Sequence, residues 1–214
     1  MAKILDIEGN VYNTVTFNTQ EWTVENWKCT TLNDGNTIPQ LTANSDWSTT
    51  TDPAYCYYDN DINTYKVYGK LYNWAAVNGL KVPDGWIVPT DADWDILGNY
   101  LIANGYNYDG STTGNKIAKS LASKSNFWAS STAVGAIGNN LTTNNFSCMS
   151  SLPSSLRDND GTFGAHGGGA FWWSATESNA SAAWYRGLIY SFELLSRSTS
   201  TKNYGLSVRL VRRL

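Results

Sequence analysis

The sequence predicts a single α+β domain with extensive irregular loop, and three observations carry that prediction. Hydrophobic residues make up 42% of the 214 residues, enough to bury a real core. Charged residues are only 15%, and the difference is filled by Asn, Ser, Thr and Gly, which satisfy hydrogen bonds in turns without favouring helix. Runs of period-two and period-3.6 hydrophobicity both occur, with no internal repeat and no linker between them, so residues 1–214 read as one domain.

The elements follow in order. Ile4, Leu5 and Ile7 lead through Glu8-Gly9-Asn10 to Val11, Tyr12, Val15 and Phe17, the pattern of a hairpin closed by a Gly-Asn turn. Gln20 to Trp27 reads as a second extended stretch. Residues 30–54, rich in Thr, Asn, Asp and Pro, read as a long surface loop pinned by Trp47. Tyr55 to Tyr58 is a short aromatic strand. Residues 68–77 place Leu71, Trp74 and Ala75 on one face of a predicted helix. A better-marked helix starts after Thr90, a candidate cap with Asp93 at the capping-box position. It carries Trp94, Leu97 and Leu101 at helical spacing and closes at Asn104-Gly105. A weaker helix spans 116–123. From Phe146 onward the pattern is strand and loop, ending in Leu206, Val208 and Leu210 alternating with Ser207 and Arg209, a predicted half-buried strand.

Composition also excludes functions. A net charge of −3 argues against nucleic acid as a partner, because that binding needs clustered Lys and Arg. No run of 18 apolar residues is present, so no membrane insertion is expected. The N-terminus lacks a signal peptide's apolar stretch. Three cysteines, Cys29, Cys56 and Cys148, permit at most one disulfide and show no CxxC spacing. They read first as buried structural thiols.

Ten tryptophans and thirteen tyrosines stand in a chain of this length, and several sit in recognisable blocks. Asp84-Gly85-Trp86-Ile87-Val88-Pro89-Thr90-Asp91-Ala92-Asp93-Trp94 resembles the Pro-x-Gly-Trp-x-Val-Pro-Thr-Asp-Ala-Glu-Trp run of the Fibrobacter succinogenes major paralogous domain. Tyr68 to Trp74, Trp172 to Glu177 and Gly205 to Arg209 resemble further blocks of that family, in its order. The resemblance implies a C-type-lectin-like fold of the formylglycine-generating-enzyme branch: two helices packed on small twisted antiparallel sheets with extensive irregular loops. The same branch includes the variable proteins of diversity-generating retroelements, and residues 172–214 resemble their variable region. There a frame of Trp172, Trp173, Ser174, Ala183, Trp184, Arg186, Leu188, Gly205, Val208 and Arg209 alternates with unrelated residues. The family usually has Cys before the Pro-x-Gly-Trp block and in the last strand. This chain has Val82 and Leu210, an apolar pair in place of a bridge if the two positions touch.

Chemistry for catalysis is sparse. The single histidine, His166, lies in a glycine-rich loop that preorganises no base, and a hydroxyl plus one His is no triad signal. The paired cysteine site of formylglycine-generating enzymes has no counterpart after Cys148, so no enzymatic activity is expected. Asp158-Asn159-Asp160-Gly161 and Asp59-Asn60-Asp61 have calcium-like oxygen spacing, but neither continues into a twelve-residue loop ending in Glu. No cofactor is therefore expected, with a structural calcium ion as the exception the lectin-like resemblance would allow.

The function expected is binding. If Trp184, Arg186 and Leu188 face the frame, period two turns Tyr185, Gly187 and Ile189 the other way. A turn after Tyr190 then presents Ser191, Phe192, Glu193, Leu195, Arg197 and Thr199, an apolar centre with a charged rim that suits an interface. A competing reading makes these hydrophobes core. Trp172, Trp173 and Trp184 read as scaffold, with stacking of an exposed Trp on carbohydrate as the alternative. The leading expectation is a non-catalytic display domain, a retroelement variable protein on a phage virion or bacterial surface, recognising a protein or glycan receptor. The alternative is a non-diversified surface lectin or adhesin binding glycan.

Overall fold

The computed structural model describes residues 2–214. It is a mixed α+β chain with few helices and mostly antiparallel sheet. The predicted hairpin is formed by β1 (Lys3–Leu5) and β2 (Val11–Phe17), paired in the register Lys3 with Asn13. Gly9 supplies the positive φ of its turn. β3 (Gln20–Thr23) continues the sheet, and β9 (Val211–Arg213) completes it in the order β1-β2-β3-β9, so both ends of the chain share one sheet.

The 30–54 loop is not wholly irregular. It contains α1 (Asn44–Thr49), whose buried Trp47 donates its indole N–H to the Asn203 carbonyl at 2.8 Å. β4 (Tyr55–Cys56) follows, then the single turn α2 (Ile62–Tyr65).

The predicted helix over 68–77 is a correction. Gly69 sits at φ +81°, where a Cβ would lie 2.8 Å from Asn26 Cβ, and Asn26 Nδ2 binds the Tyr68 carbonyl at 2.8 Å. That crossing breaks the helix. β5 (Leu71–Tyr72) pairs with β4 instead, and helix begins only at α3 (Trp74–Gly79), where Asn73 caps Ala76 N–H.

The 90–104 prediction matches α4 (Asp91–Ala103). Its capping box is complete: Thr90 Oγ1 accepts from Asp93 N–H while Asp93 Oδ2 accepts from Thr90 N–H. The weaker helix shrinks to one turn, α5 (Ala118–Leu121).

The C-terminal third forms a three-stranded antiparallel sheet of β6 (Gly169–Asn179), β7 (Ala182–Ile189) and β8 (Ser196–Thr201), with β7 central. β6 divides the core. Trp172 joins one cluster with Phe17, Trp22, Trp94 and Leu188, and its neighbour Trp173 joins another with Tyr12, Trp27, Tyr72 and Val208. Strand alternation thus drives consecutive tryptophans into opposite cores. Leu210 lies in the second cluster, and half-buried Val82 packs against that cluster.

Residues 204–210 depart from the half-buried prediction. Ser207 and Arg209 are as buried as Leu206 and Val208, because this segment runs between the two cores. Ser207 Oγ contacts Ser154 Oγ and Asn26 Nδ2, and the Arg209 guanidinium meets Thr23 and Met149 carbonyls and Ser151 Oγ. Period-two reasoning missed this because the polar side chains find buried partners far away in sequence.

All three cysteines are free, and Cys148, expected to be buried, is exposed in a turn at φ +64°. Burial pushes the Cys29 thiol up to about 11 and the Cys56 thiol up to about 12. Ellman's reagent is therefore expected to label one thiol of the native chain, and none in a Cys148→Ser variant. Rapid labelling of Cys29 or Cys56 before unfolding would contradict this packing.

Candidate functional site

The site is built on the two faces of β7. One face turns Trp184, Arg186 and Leu188 towards α4. Arg186 is 3% exposed, and its Nη2 reaches Asp91 Oδ1 at 2.8 Å, the Asp91 carbonyl at 3.0 Å and Asp95 Oδ1 at 2.7 Å. Burial draws this guanidinium below its ordinary value, while Asp91 and Asp95 oppose the shift. Directly across the ladder is Arg197, a like charge that would destabilise the pair if it were left alone. Asp91 resolves this by accepting Arg197 Nε at 2.9 Å and Nη2 at 2.8 Å. The Arg197 guanidinium also stacks 3.4 Å from the Trp184 ring centroid. The acid that suits the N-terminus of α4 therefore clamps two strands of the sheet.

The other face carries Phe171, Tyr185 and Gly187, with Ser196 and Ser198 across the ladder. Phe171 and Tyr185 meet edge to face at 6.0 Å. Gly187 is a spacer: a Cβ there would lie 2.7 Å from the Phe171 ring and 2.9 Å from Ser196 Oγ.

The β7–β8 turn is held by its backbone. Gly138 N–H binds the Tyr190 carbonyl and Ala118 N–H binds the Glu193 carbonyl, while the Asn115 side chain pairs with both the N–H and the carbonyl of Leu195. Those bonds leave Phe192 52% and Leu194 39% exposed.

The nine predicted contact residues therefore separate. Phe192, Arg197 and Thr199 are exposed, and Tyr185, Ile189, Ser191 and Glu193 are half-buried. Gly187 and Leu195 are buried, which corrects their assignment: one makes room for Phe171, and the other fills the core beside α5. Nor do the rest share one surface. Arg197 and Thr199 are the ladder partners of Arg186 and Trp184, so they lie on the α4 side, opposite Tyr185. Exposed Ser198, the partner of Tyr185, and Leu194 were missed; the register of the hairpin would have revealed the first.

At the far end of the sheet lies a cleft of about 510 Å³, lined by Ser181, Thr201 and Lys202 from this segment and by Thr49, Asn73 and Trp74 from the frame. Lys202 Nζ pairs with Glu177 at 2.7 Å and lies 4.6 Å from the Trp74 ring centroid.

Elsewhere, His166 is ringed by Tyr58, Tyr65 and Tyr68, with Nε2 3.1 Å from Tyr68 Oη. The two calcium-like runs are turns whose oxygens bind the local chain. Asp160 Oδ1 accepts from Thr162 N–H and Oγ1, and Asp61 Oδ1 accepts from Asn63 and Thr64 N–H. Among the described residues no group of three or more His, Cys, Asp and Glu side chains is placed to hold a metal ion. No helix among them is long and apolar enough to cross a membrane.

A family model described as the Fibrobacter succinogenes major domain matches residues 15–212. The chain belongs to this family. The matched span of this Fibrobacter succinogenes major domain runs from within β2 into β9 and takes in the whole C-terminal sheet. No curated protein and no solved structure matches the chain.

Proposed function

We propose that this Fibrobacter succinogenes major domain is a non-catalytic display domain of C-type-lectin-like fold. In this reading residues 172–214 serve as the variable, receptor-binding region in the manner of diversity-generating retroelement proteins. One observation carries it. Of the ten frame residues of that segment, Trp172, Trp173, Ser174, Ala183, Arg186, Leu188, Val208 and Arg209 are buried at 3% exposure or less. Gly205 is buried, while Trp184 is half-buried beneath the Arg197 guanidinium. The intervening positions 191–194 and 197–199 are exposed or half-buried on a turn and strand pinned by neighbouring backbone. Such a surface can change its side chains without changing its fold. Exposed and half-buried Tyr and Ser on the Tyr185 face supply rigid contact area and adaptable hydrogen bonds, a composition suited to a protein receptor. The setting is a phage virion or bacterial surface.

A second reading, a non-diversified lectin or adhesin, is favoured by the cleft beside Trp74 and Lys202, whose hydroxyl lining suits a glycan.

Sequencing codons 172–214 across one natural population distinguishes the two. The display reading predicts substitutions concentrated at codons 185, 191–194 and 197–199, matching template adenines of a nearby repeat beside a reverse-transcriptase gene. Uniform codons, together with chelator-independent binding on a glycan array, would favour the lectin.

A further inference from the structure

Away from the C-terminal sheet, four cations that form no salt bridge among the described residues line two neighbouring clefts. The ion pairs among the described residues involve Lys116, Arg186, Arg197, Lys202, Arg212 and Arg213; Lys28, Lys66, Lys70 and Arg209 are in none of them. Two of these four are buried, Lys70 at 8% and Arg209 at 1% exposure. Burying a charge is costly unless something compensates it.

Compensation from the protein is incomplete. The Lys70 ammonium has three donors and gives one to the Lys28 carbonyl, otherwise facing the ring of Tyr55 at 4.7 Å and that of Tyr57 at 6.0 Å. Arg209 donates to neutral acceptors, two carbonyls, Ser151 Oγ and Asn26 Oδ1, and the nearby charge of Glu25 only partly opposes the effect of its burial. Burial draws it down to about 9, so it keeps its charge at neutral pH.

Each buried cation lines a cleft. Lys70, with Lys66, Tyr57 and Glu8, lines one of about 500 Å³. Arg209, with Glu25, Ser123 and Ser150, lines one of about 330 Å³. The two clefts share Lys28 and Val67, so they adjoin along a common wall. Acceptors stand among the cations. The hydrogen bonds that Glu8 takes from Thr30 and Thr31 all fall on Oε1, leaving Oε2 open.

We propose that these adjoining clefts form a second binding site, for an oligosaccharide bearing carboxylate groups. An anionic sugar places its carboxylates against Lys28, Lys66, Lys70 and Arg209, and each lobe has room for a sugar ring. Its hydroxyls lie against the open Oε2 of Glu8 and against Glu25, whose oxygens each already accept one bond from Asn13. An acidic peptide meets the same lysines but brings no hydroxyls for the two glutamates, which repel it. The site uses none of residues 185–199, so it stands or falls apart from the receptor-binding reading.

Isothermal titration with tetragalacturonate at low and high salt tests the site, with maltotetraose and tetraglutamate as comparators. Saturable binding to tetragalacturonate alone, weakened by salt, is expected. The double variant Lys28→Ala/Lys66→Ala removes exposed or half-buried cations and should leave thermal stability unchanged. It should weaken binding about tenfold, the sum of two partly screened charges. Phe192→Ala, on the other surface, should bind as the parent does. Absence of saturable binding, undiminished binding by the double variant, or equal binding of tetraglutamate would overturn the proposal.

Discussion

Replacing Arg186 with Met is expected to lower the unfolding free energy by about 3–5 kcal/mol, the range for removing one partner of a buried ion pair. Arg186 is the buried link between the central strand β7 and α4 through Asp91 and Asp95. Without it, Asp91, itself 9% exposed, keeps only Arg197 as a cationic partner. For a domain of this size that loss shifts the melting temperature on the order of 10 °C. Asp95→Asn cuts the same network from its solvent side. The Asp95 side chain is 58% exposed, so its loss should cost under about 1 kcal/mol. Urea denaturation of both variants checks the contrast. Equal effects would mean that the guanidinium is not the tie between sheet and helix.

Trp172→Ala should be as damaging, about 3–5 kcal/mol from the cavity that it leaves. The ring packs 5.8 Å from Trp94 and lies 5.2 Å from the Arg209 guanidinium, and its Nε1 donates to Asn26 Oδ1 at 2.8 Å. Its removal also takes a hydrogen bond from Asn26, which ties β6 to Tyr68 and Ser207. Phe192→Ala deletes an aromatic ring of similar chemistry from an exposed turn. Its cost should stay within about 0.5 kcal/mol. Unfolding free energies from chemical denaturation should separate the two by about 3 kcal/mol or more if the frame and the exposed turn are distinct.

What could be read from residue order was local. The capping box of Thr90 and Asp93 and the Gly9-Asn10 hairpin are local signals, and both appear where expected. The helix over 68–77 failed because Gly69 must pass against Asn26, forty-three residues away, and no local pattern encodes that crossing. The same limit hid the buried state of Ser207 and Arg209, whose partners come from residues 23–26 and 149–154. At the candidate site, alternation along β7 correctly opposed Tyr185 to Arg186. It could not continue through the turn, so Arg197 and Thr199 were joined to a face that they do not share. Leu195 looked like a displayed hydrophobe because Asn115, the residue that draws its backbone inward, is distant in sequence.

Saturation mutagenesis of residues 172–214 with a protease-resistance readout shows whether a buried frame holds a replaceable surface. Positions 191–194 and 197–199 should accept most side chains, with Arg197 the most restricted among them because of its clamp on Asp91. Trp172, Trp173, Arg186, Leu188 and Val208 should accept almost none. Equal intolerance at Phe192, Glu193 and Ser198, or free substitution at the tryptophans, would contradict the division between frame and display.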